Sequence, residues 1–385
     1  MTEEPGLTER AVPGTVIVGG GITGVGLAYY LASLGERDIL LLEGDELASG
    51  CTGGSLGGVR QQFSTPVEIE IALRGKRFWQ TFEETFDWPC PYHQDGYLML
   101  TGRQEIYDKL ADAAQAQRGA GAGPVEMLTA SEVESHFPYL SGEGLIGGCW
   151  TSDDGRVNPT DGVYGLAAAA RAKGVTIQQH WPVASIEKAP GGWTVVGRER
   201  ISAPRVIVAA GLGTPALMRP FGLDLPITPM LLHYGFTTPV ISDQRLPMTI
   251  DLDTGLCLER EQDAAVVTIL MSQTPPGYGV EDMLAEFGEA AAVRAPVFID
   301  VSIRATISAA ADATGGDGHP FIGQVEPGLW VMAGFDGHGT MQGPAIAELT
   351  ANLIAGKPDP VIDMTAFDPW RVPGPTDEWL RAARK

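Results

Sequence analysis

The sequence predicts a mixed α/β fold: a Rossmann-like nucleotide-binding domain with a second, interleaved domain built on an antiparallel sheet. Three observations predict it. A strand–glycine–helix–strand unit opens the chain at "TVIVGGGITGVGLAYYLASLG". A second glycine-rich strand-to-helix turn, "LWVMAGFDGHGT", lies near the other end. Between them run β-rich segments separated by turn residues.

The opening unit carries the strongest signal. "TVIV" is a short β-branched run that suits a buried parallel strand. Gly19, Gly21 and Gly24 follow in GxGxxG spacing, and "LAYYLASLG" reads as a helix closed by Gly35. "DILLLE" is a second strand ending in Glu43, 19 residues after Gly24. Gly19 permits the tight turn, Gly21 lets the backbone approach a pyrophosphate, and Gly24 lets helix and strand pack closely. Ile22 and Thr23 open the helix, whose free N–H groups and positive dipole end hold a diphosphate. Glu43 is expected to accept hydrogen bonds from the ribose hydroxyls. About 20 apolar residues can span a bilayer, but the internal strand–turn–helix grammar argues against a membrane helix. A lone GxGxxG is weak evidence; one flanked by two strands, a helix and a terminal acid is strong.

The next segment separates two dinucleotide classes. A nicotinamide enzyme usually continues directly into another strand–helix unit. Here Glu43 to Pro66 reads "EGDELASGCTGGSLGGVRQQFSTP", a long loop of Gly, Ser and Thr. Such a loop wraps a larger cofactor with backbone N–H groups and little side-chain bulk. The plain alternative is a flexible surface loop, and the embedded "GGVRQQF" argues against it.

Bulk properties narrow the partners. The chain has 385 residues, enough for one large or two interleaved domains with a sizeable core. The formal charge of −22 would repel phosphate backbones and anionic lipid, so neither nucleic acid nor a membrane surface is an expected partner. Cysteines at 51, 90, 149 and 257 have no CxxC spacing, so no metal site is expected. They read as reduced thiols in a cytoplasmic protein. The polar, acidic start "MTEEPGLTER" does not read as a signal peptide.

"VGGGITG", "LLE" and "SGCTGGSLGGVRQQFS" resemble the D-amino-acid oxidase superfamily, in the branch that holds sarcosine oxidase, glycine oxidase and dimethylglycine dehydrogenase. "GGDGHPFIGQVEPGLWVMAGFDGHGTMQGPAIAELTANLIAG" resembles the same group. Weaker echoes, "DGYLML", "DGRVNPTDGVYGLAAAARAKGVTI" and "ISAPRVIVAAG", lie between, so the likeness covers nearly the whole chain. The resemblance implies FAD, held non-covalently, and a discontinuous FAD-binding domain of 10–85, 150–225 and 310–385. Residues 86–149 and 226–309 would form the substrate domain. It implies FAD contacts from Gly44, Gly50, Thr52, Ser55, Leu56 and Gly57 in the wrapping loop. The backbone of Val183 would meet adenine, and Ala210 and Gly211 would lie beside the diphosphate. Gly334, Gly337, His338, Gly339 and Thr340 would meet the flavin ring. A second helix N-terminus there would stabilise negative charge on reduced flavin. Pro344 is expected in the first turn of that helix. His338 reads as a packing and hydrogen-bonding residue more readily than as a base.

The segments "LPITPMLLHYGFTT", "TGLCLERE", "AAVVTILM" and "VFIDVSIRATIS" have strand character and are expected to lie over the flavin; "EDMLAEFGEAAAV" reads as a helix. Arg60 is the first candidate for the reaction site, with Tyr97, Tyr234 and Arg304 beside it and His233 as a further candidate. Met230, Leu231, Leu232 and Leu256 are candidates for the cavity lining. The chain departs from the family pattern where amino-acid carboxylates are usually bound. Ala310 stands at a covalent-link cysteine, Asp312 at an arginine, Cys257 at a tyrosine and Met341 at a lysine. The expected reaction is oxidation of a C–N bond in a secondary amine or N-substituted glycine, with O2 as acceptor. Alternatives are a D-amino-acid or proline dehydrogenase using another acceptor, and a non-catalytic FAD-stabilised assembly factor.

Overall fold

The computed structural model describes residues 13–240, 245–271, 274–314 and 316–374. The reading of the first ten residues therefore lies outside the described residues. β1 (Thr15–Val18) is wholly buried, as its unbroken apolar run requires. It pairs in parallel with β2 (Ile39–Leu42) on one side and Arg205–Val208 on the other. With Thr176–Gln178, Leu329–Ala333 and Phe321–Glu326 these complete a six-stranded sheet, in which β1 and Arg205–Val208 are central. Only the last pair is antiparallel.

Helix α1 (Ile22–Ser33) connects β1 to β2 and is buried along nine positions. It runs beside the helix Gly339–Ile354 on one face of the sheet. Their close approach follows from small residues: a Cβ on Gly26 would stand 3.1 Å from that of Ala347. A three-stranded sheet, Ser185–Ala189, Gly192–Val196 and Arg200–Ala203, covers the opposite face. Its hairpin turns at Gly191 and Gly192, as the sequence predicts.

The second body is an eight-stranded sheet. Its order is Ile303–Thr314, Ile227–Thr237, Ala264–Ile269, Leu256–Glu261, Met248–Asp251, Tyr97–Thr101, Gly147–Thr151 and Val125–Thr129. All its pairs are antiparallel except Met248–Asp251 with Tyr97–Thr101. The expected domain junctions at 149/150 and 309/310 fall inside Gly147–Thr151 and Ile303–Thr314, because these strands run unbroken across them. "VFIDVSIRATIS" is only partly a strand. Pro296–Phe298 forms a 3-10 turn, and pairing starts at Ile303.

Between β2 and α2 (Pro66–Gln80) the chain forms one two-residue strand, β3 (Gly58–Val59), which pairs with Gly155–Arg156. Thr65 caps α2: its hydroxyl accepts from Glu68 N at 3.3 Å and donates to Glu68 Oε2 at 2.7 Å, with Pro66 at the first helical position. No disulfide joins the four cysteines. Among the described residues no helix is long and apolar enough to cross a membrane.

Candidate functional site

A cavity of about 1150 Å³ lies between the two large sheets. It exceeds the ~300–1,000 Å³ usual for a drug-sized ligand, which leaves room for a dinucleotide and a small second molecule.

The floor is the β1–α1 turn. Gly19 takes φ +118°, and a Cβ there would stand 2.1 Å from Ala209 O. A Cβ on Gly24 would stand 2.0 Å from Gly19 O, so only glycine lets α1 start this close to the strand. Gly21 precedes the helix with no side-chain cap, and the first-turn N–H groups open toward the cavity beside Ile22 and Thr23. Thr52 reaches across from the wrapping loop, its Oγ1 accepting from Ile22 N at 3.2 Å. Glu43 lines the cavity while its oxygens accept from Gly20 N at 2.6 Å and Asp45 N at 2.9 Å. It thereby shapes the turn as well as presenting an acid where a ribose would lie. Gly44, Gly50, Ser55, Leu56, Val183, Ala210 and Gly211 also line the space.

The far wall holds the second helix tip. The loop Gly334–His338 delivers the chain into Gly339–Ile354, and His338 stands at the cap position without a side-chain cap bond. Gly337, Gly339 and Thr340 face the cavity. Thr340 Oγ1 donates to Ser55 Oγ at 3.0 Å, so this helix and the wrapping loop close on each other. Two helix N-termini, from opposite ends of the chain, thus border one cavity. The glycine cradle, the acid after β2 and the two helix tips, neither capped by its own N-cap side chain, fit a flavin dinucleotide.

Arg60 is 2% exposed and lines the cavity. Its Nη1 donates to Gln62 O, its guanidinium lies 4.1 Å from the centre of the Phe63 ring, and its Nη2 is 3.1 Å from His338 Nε2. Guanidinium is donor-only, so His338 Nε2 accepts and carries no hydrogen in this geometry. Tyr97 and Tyr234 both line the cavity, and Tyr234 Oη donates to Gly54 O at 3.2 Å. Burial pushes the Tyr234 phenol up, so it stays protonated at neutral pH. Asp312 lines the cavity too, but its Oδ2 accepts from Gly334 N at 3.1 Å and Phe335 N at 3.0 Å. Burial raises its carboxyl. It clamps the loop that leads into Gly339–Ile354, which gives this acid a structural task.

Several expectations are corrected. Arg304 is absent from the lining: it sits on the exposed end of Ile303–Thr314, with Nε donating to Thr237 O at 3.1 Å and its guanidinium 5.9 Å from the Phe236 ring centre. His233 points to the other side of its strand from Tyr234 and bonds Ser308 Oγ at 2.7 Å. Leu256 belongs to the core behind the sheet. Gly24 within α1, and Gly57 and Gly334 in loops, permit close backbone approaches without lining the space. Cβ atoms there would meet Gly19 O, Val157 O and Thr314 Cγ2. Pro344 is not in the first turn. The helix begins at Gly339, so Pro344 lies inside it and cannot donate to Thr340 O. Trp79 Nε1 donates to that carbonyl instead, at 2.8 Å.

Sequence reasoning missed the supports behind Arg60. Lys76 and Trp79 lie on α2, an ordinary amphipathic helix by sequence, yet they are 4% and 1% exposed. Gly75 lies where a Cβ would stand 1.8 Å from Met341 O, so α2 runs backbone to backbone against the helix tip. A glycine in mid-helix was the available signal.

Comparison with known proteins agrees with this geometry. The model of the family described as "DAO: FAD dependent oxidoreductase" matches residues 15–353. Mitochondrial dimethylglycine dehydrogenase of Rattus norvegicus is 27% identical over 93% of this chain and 44% of its own length. The chain thus spans about half the length of such relatives. Glycine oxidase of Bacillus licheniformis is 26% identical, covering 89% of this chain and 93% of that one. Among solved structures, L-proline dehydrogenase from P. horikoshii superposes with TM-score 0.86 at 24% identity, covering 94% of this chain and 97% of that one. Glycine oxidase from Geobacillus kaustophilus superposes at 0.82 with 22% identity, covering 94% and 99%. Over nearly its whole length, then, the chain belongs to the DAO family of FAD-dependent oxidoreductases, with FAD as its cofactor.

Proposed function

We propose that the chain oxidises the C–N bond of a secondary amine or N-substituted glycine bearing an apolar arm. Bound FAD supplies the acceptor for a hydride from the carbon next to nitrogen; the imine then hydrolyses, and O2 takes the electrons to give H2O2. One observation carries the reading: the wall facing the helix tips is apolar. Met230, Leu231, Leu232, Met248, Ile250 and Leu270 line it with Cys257, and Arg60 is the single guanidinium on the lining among the described residues. A site that accepts a neutral amine and aims its C–H needs a dry, shaped wall more than acid–base groups. Tyr97 and Tyr234 would orient the nitrogen, and Arg60 would meet the ring edge or a carboxylate. Relatives named glycine oxidase and dimethylglycine dehydrogenase support the class of substrate. The dehydrogenase names also favour a second reading, in which a carrier rather than O2 takes the electrons.

The test is to purify the yellow protein and screen amines for anaerobic flavin bleaching. N-alkylglycines and apolar secondary amines are expected to bleach it, and glycine itself to do so poorly. Peroxide formation in air separates oxidase from carrier-linked enzyme. A flavin that no amine bleaches would reduce the protein to an FAD-stabilised assembly factor. Heat or acid should release the flavin, because position 310 is an alanine and carries no thiol for a covalent link.

A further inference from the structure

Arg60 lies within a buried run, 57–63, whose second half is braced by polar groups from distant parts of the chain. Gln61 and Gln62 are at most 1% exposed. Gln61 N donates to Asp154 Oδ2 at 3.0 Å, and Thr151 Oγ1 donates to the same oxygen at 2.6 Å. Lys76 Nζ reaches Asp153 Oδ2 at 3.1 Å and Asp154 Oδ1 at 3.4 Å, and donates to Gln61 Oε1. Gln61 Oε1 also accepts from Gly123 N at 3.2 Å. Gln62 Nε2 donates to Thr151 Oγ1 at 2.8 Å and to Tyr97 O at 3.1 Å, while Gln62 O accepts from Arg60 Nη1.

A fully buried ion pair is a poor source of stability, because apolar residues of the same shape often serve as well. What such a pair does supply is one allowed arrangement of the backbone it grips. Here Asp154 grips the Gln61 N–H and Lys76 the Gln61 side chain, one residue from the guanidinium that lines the cavity. We propose that Lys76 and Asp154 are positioning residues: they hold the Gln61 N–H and side chain, and through that residue the neighbouring Arg60 guanidinium, against His338 at the cavity wall. This rests on the reading that Arg60 meets the bound flavin.

The network has a titratable end. Burial pushes the Asp154 carboxyl up to about 6, while Lys76, Thr151 and the Gln61 N–H favour its ionised form and Asp153 opposes it. Besides Lys76 on α2 and Thr151 at its strand end, the Tyr92 phenol and the Cys149 thiol face Asp154, and both stay neutral. Arg60's register is therefore expected to loosen as pH falls below about 6.

The test uses the full-length, FAD-loaded protein and a double-mutant cycle. Asp154→Asn, Arg60→Met and the double variant are compared in flavin absorbance from pH 5 to 8. FAD affinity of the stripped protein and the rate of anaerobic reduction by a bleaching amine complete the readouts. Asp154→Asn alone is expected to slow reduction about tenfold and to abolish the spectral change near pH 6. In the Arg60→Met background it should alter every readout by less than about twofold. Lys76→Arg should restore what Lys76→Met loses. Equal effects of Asp154→Asn in both backgrounds, or none in either, would overturn the proposal. Should Asp154→Asn not fold, Thr151→Val removes the 2.6 Å bond without touching charge and serves in the same cycle. If no amine bleaches the wild type, the proposed reaction falls, yet the affinity and spectral arms still decide the positioning role.

Discussion

Gly75→Ala sets two opposed effects against each other at the back of the site. Replacing a mid-helix glycine by alanine should stabilise α2 by up to about 1 kcal/mol through helix propensity. The new methyl, however, would stand 1.8 Å from Met341 O, about 1.2 Å inside the 3.0 Å that real Cβ atoms keep. Its opponent is backbone in the first turn of Gly339–Ile354, so no flexible side chain can yield. Overpacking of this kind costs about 1–3 kcal/mol, and the net expectation is a loss of roughly 1–2 kcal/mol. The relief is a parting of α2 from the helix tip by about an ångström, which moves Gly339 and Thr340 relative to Ser55 and Arg60. Misplacement on that scale can slow a reaction by up to about a hundredfold. Denaturant midpoints of the FAD-loaded protein and stopped-flow anaerobic reduction read the two effects separately. A midpoint equal to or above wild type, with reduction within twofold, would refute the steric reasoning and leave propensity in charge.

Trp79→Phe should cost about 1–3 kcal/mol by leaving Thr340 O unbonded in the interior. Pro344→Ala in the same chain should recover most of it, because the restored backbone N–H then donates along the helix; failure of that rescue in melting experiments contradicts the assigned bond. Arg294 Nε pairs with the fully buried Asp251 at 2.7 Å and Nη1 with Ser141 O. Arg294→Met should therefore destabilise the fold by about 3–5 kcal/mol. Unchanged flavin absorbance below the transition would show that the loss is remote from the cavity. Burial pushes the Glu259 carboxyl up to about 8, with Arg156 4.0 Å away only partly offsetting it. A carboxyl raised by folding contributes stability below its unfolded range and loses it as pH rises through about 8. Glu259→Gln is expected to match wild type near pH 5 and exceed it at pH 9; equal differences at both pH values in calorimetry would contradict this.

The parts of the site legible in the sequence are those whose signal is local. The β1–α1–β2 unit announces itself because three glycines, two apolar runs and Glu43 all act within one short stretch. Arg60 stands out because charge and bulk interrupt a glycine loop. Sequence reasoning misplaces Arg304 because facing is set by strand alternation and by a register shift at Phe236/Thr237, which the residues alone do not display. It sets Pro344 too early because the helix start is fixed by the Gly334–His338 loop and by Asp312, residues outside the helix. Lys76, Asp154 and Trp79 acquire their roles only through partners far along the chain, a lysine, an aspartate and a tryptophan like any others until the fold brings them together.

The Ser55–Thr340 and Arg60–His338 links join residues 285 and 278 positions apart. During synthesis the first glycine turn leaves the ribosome long before its opposite wall exists. The nascent chain therefore has no complete pocket, and the vitamin-derived ligand can be captured tightly only after Gly339–Ile354 emerges. Loop-closure over such a span is a slow event, and flavin supply in an expressing cell becomes a folding variable. Chains shortened before Gly339 should accumulate colourless, while added riboflavin should raise the yield of the intact one.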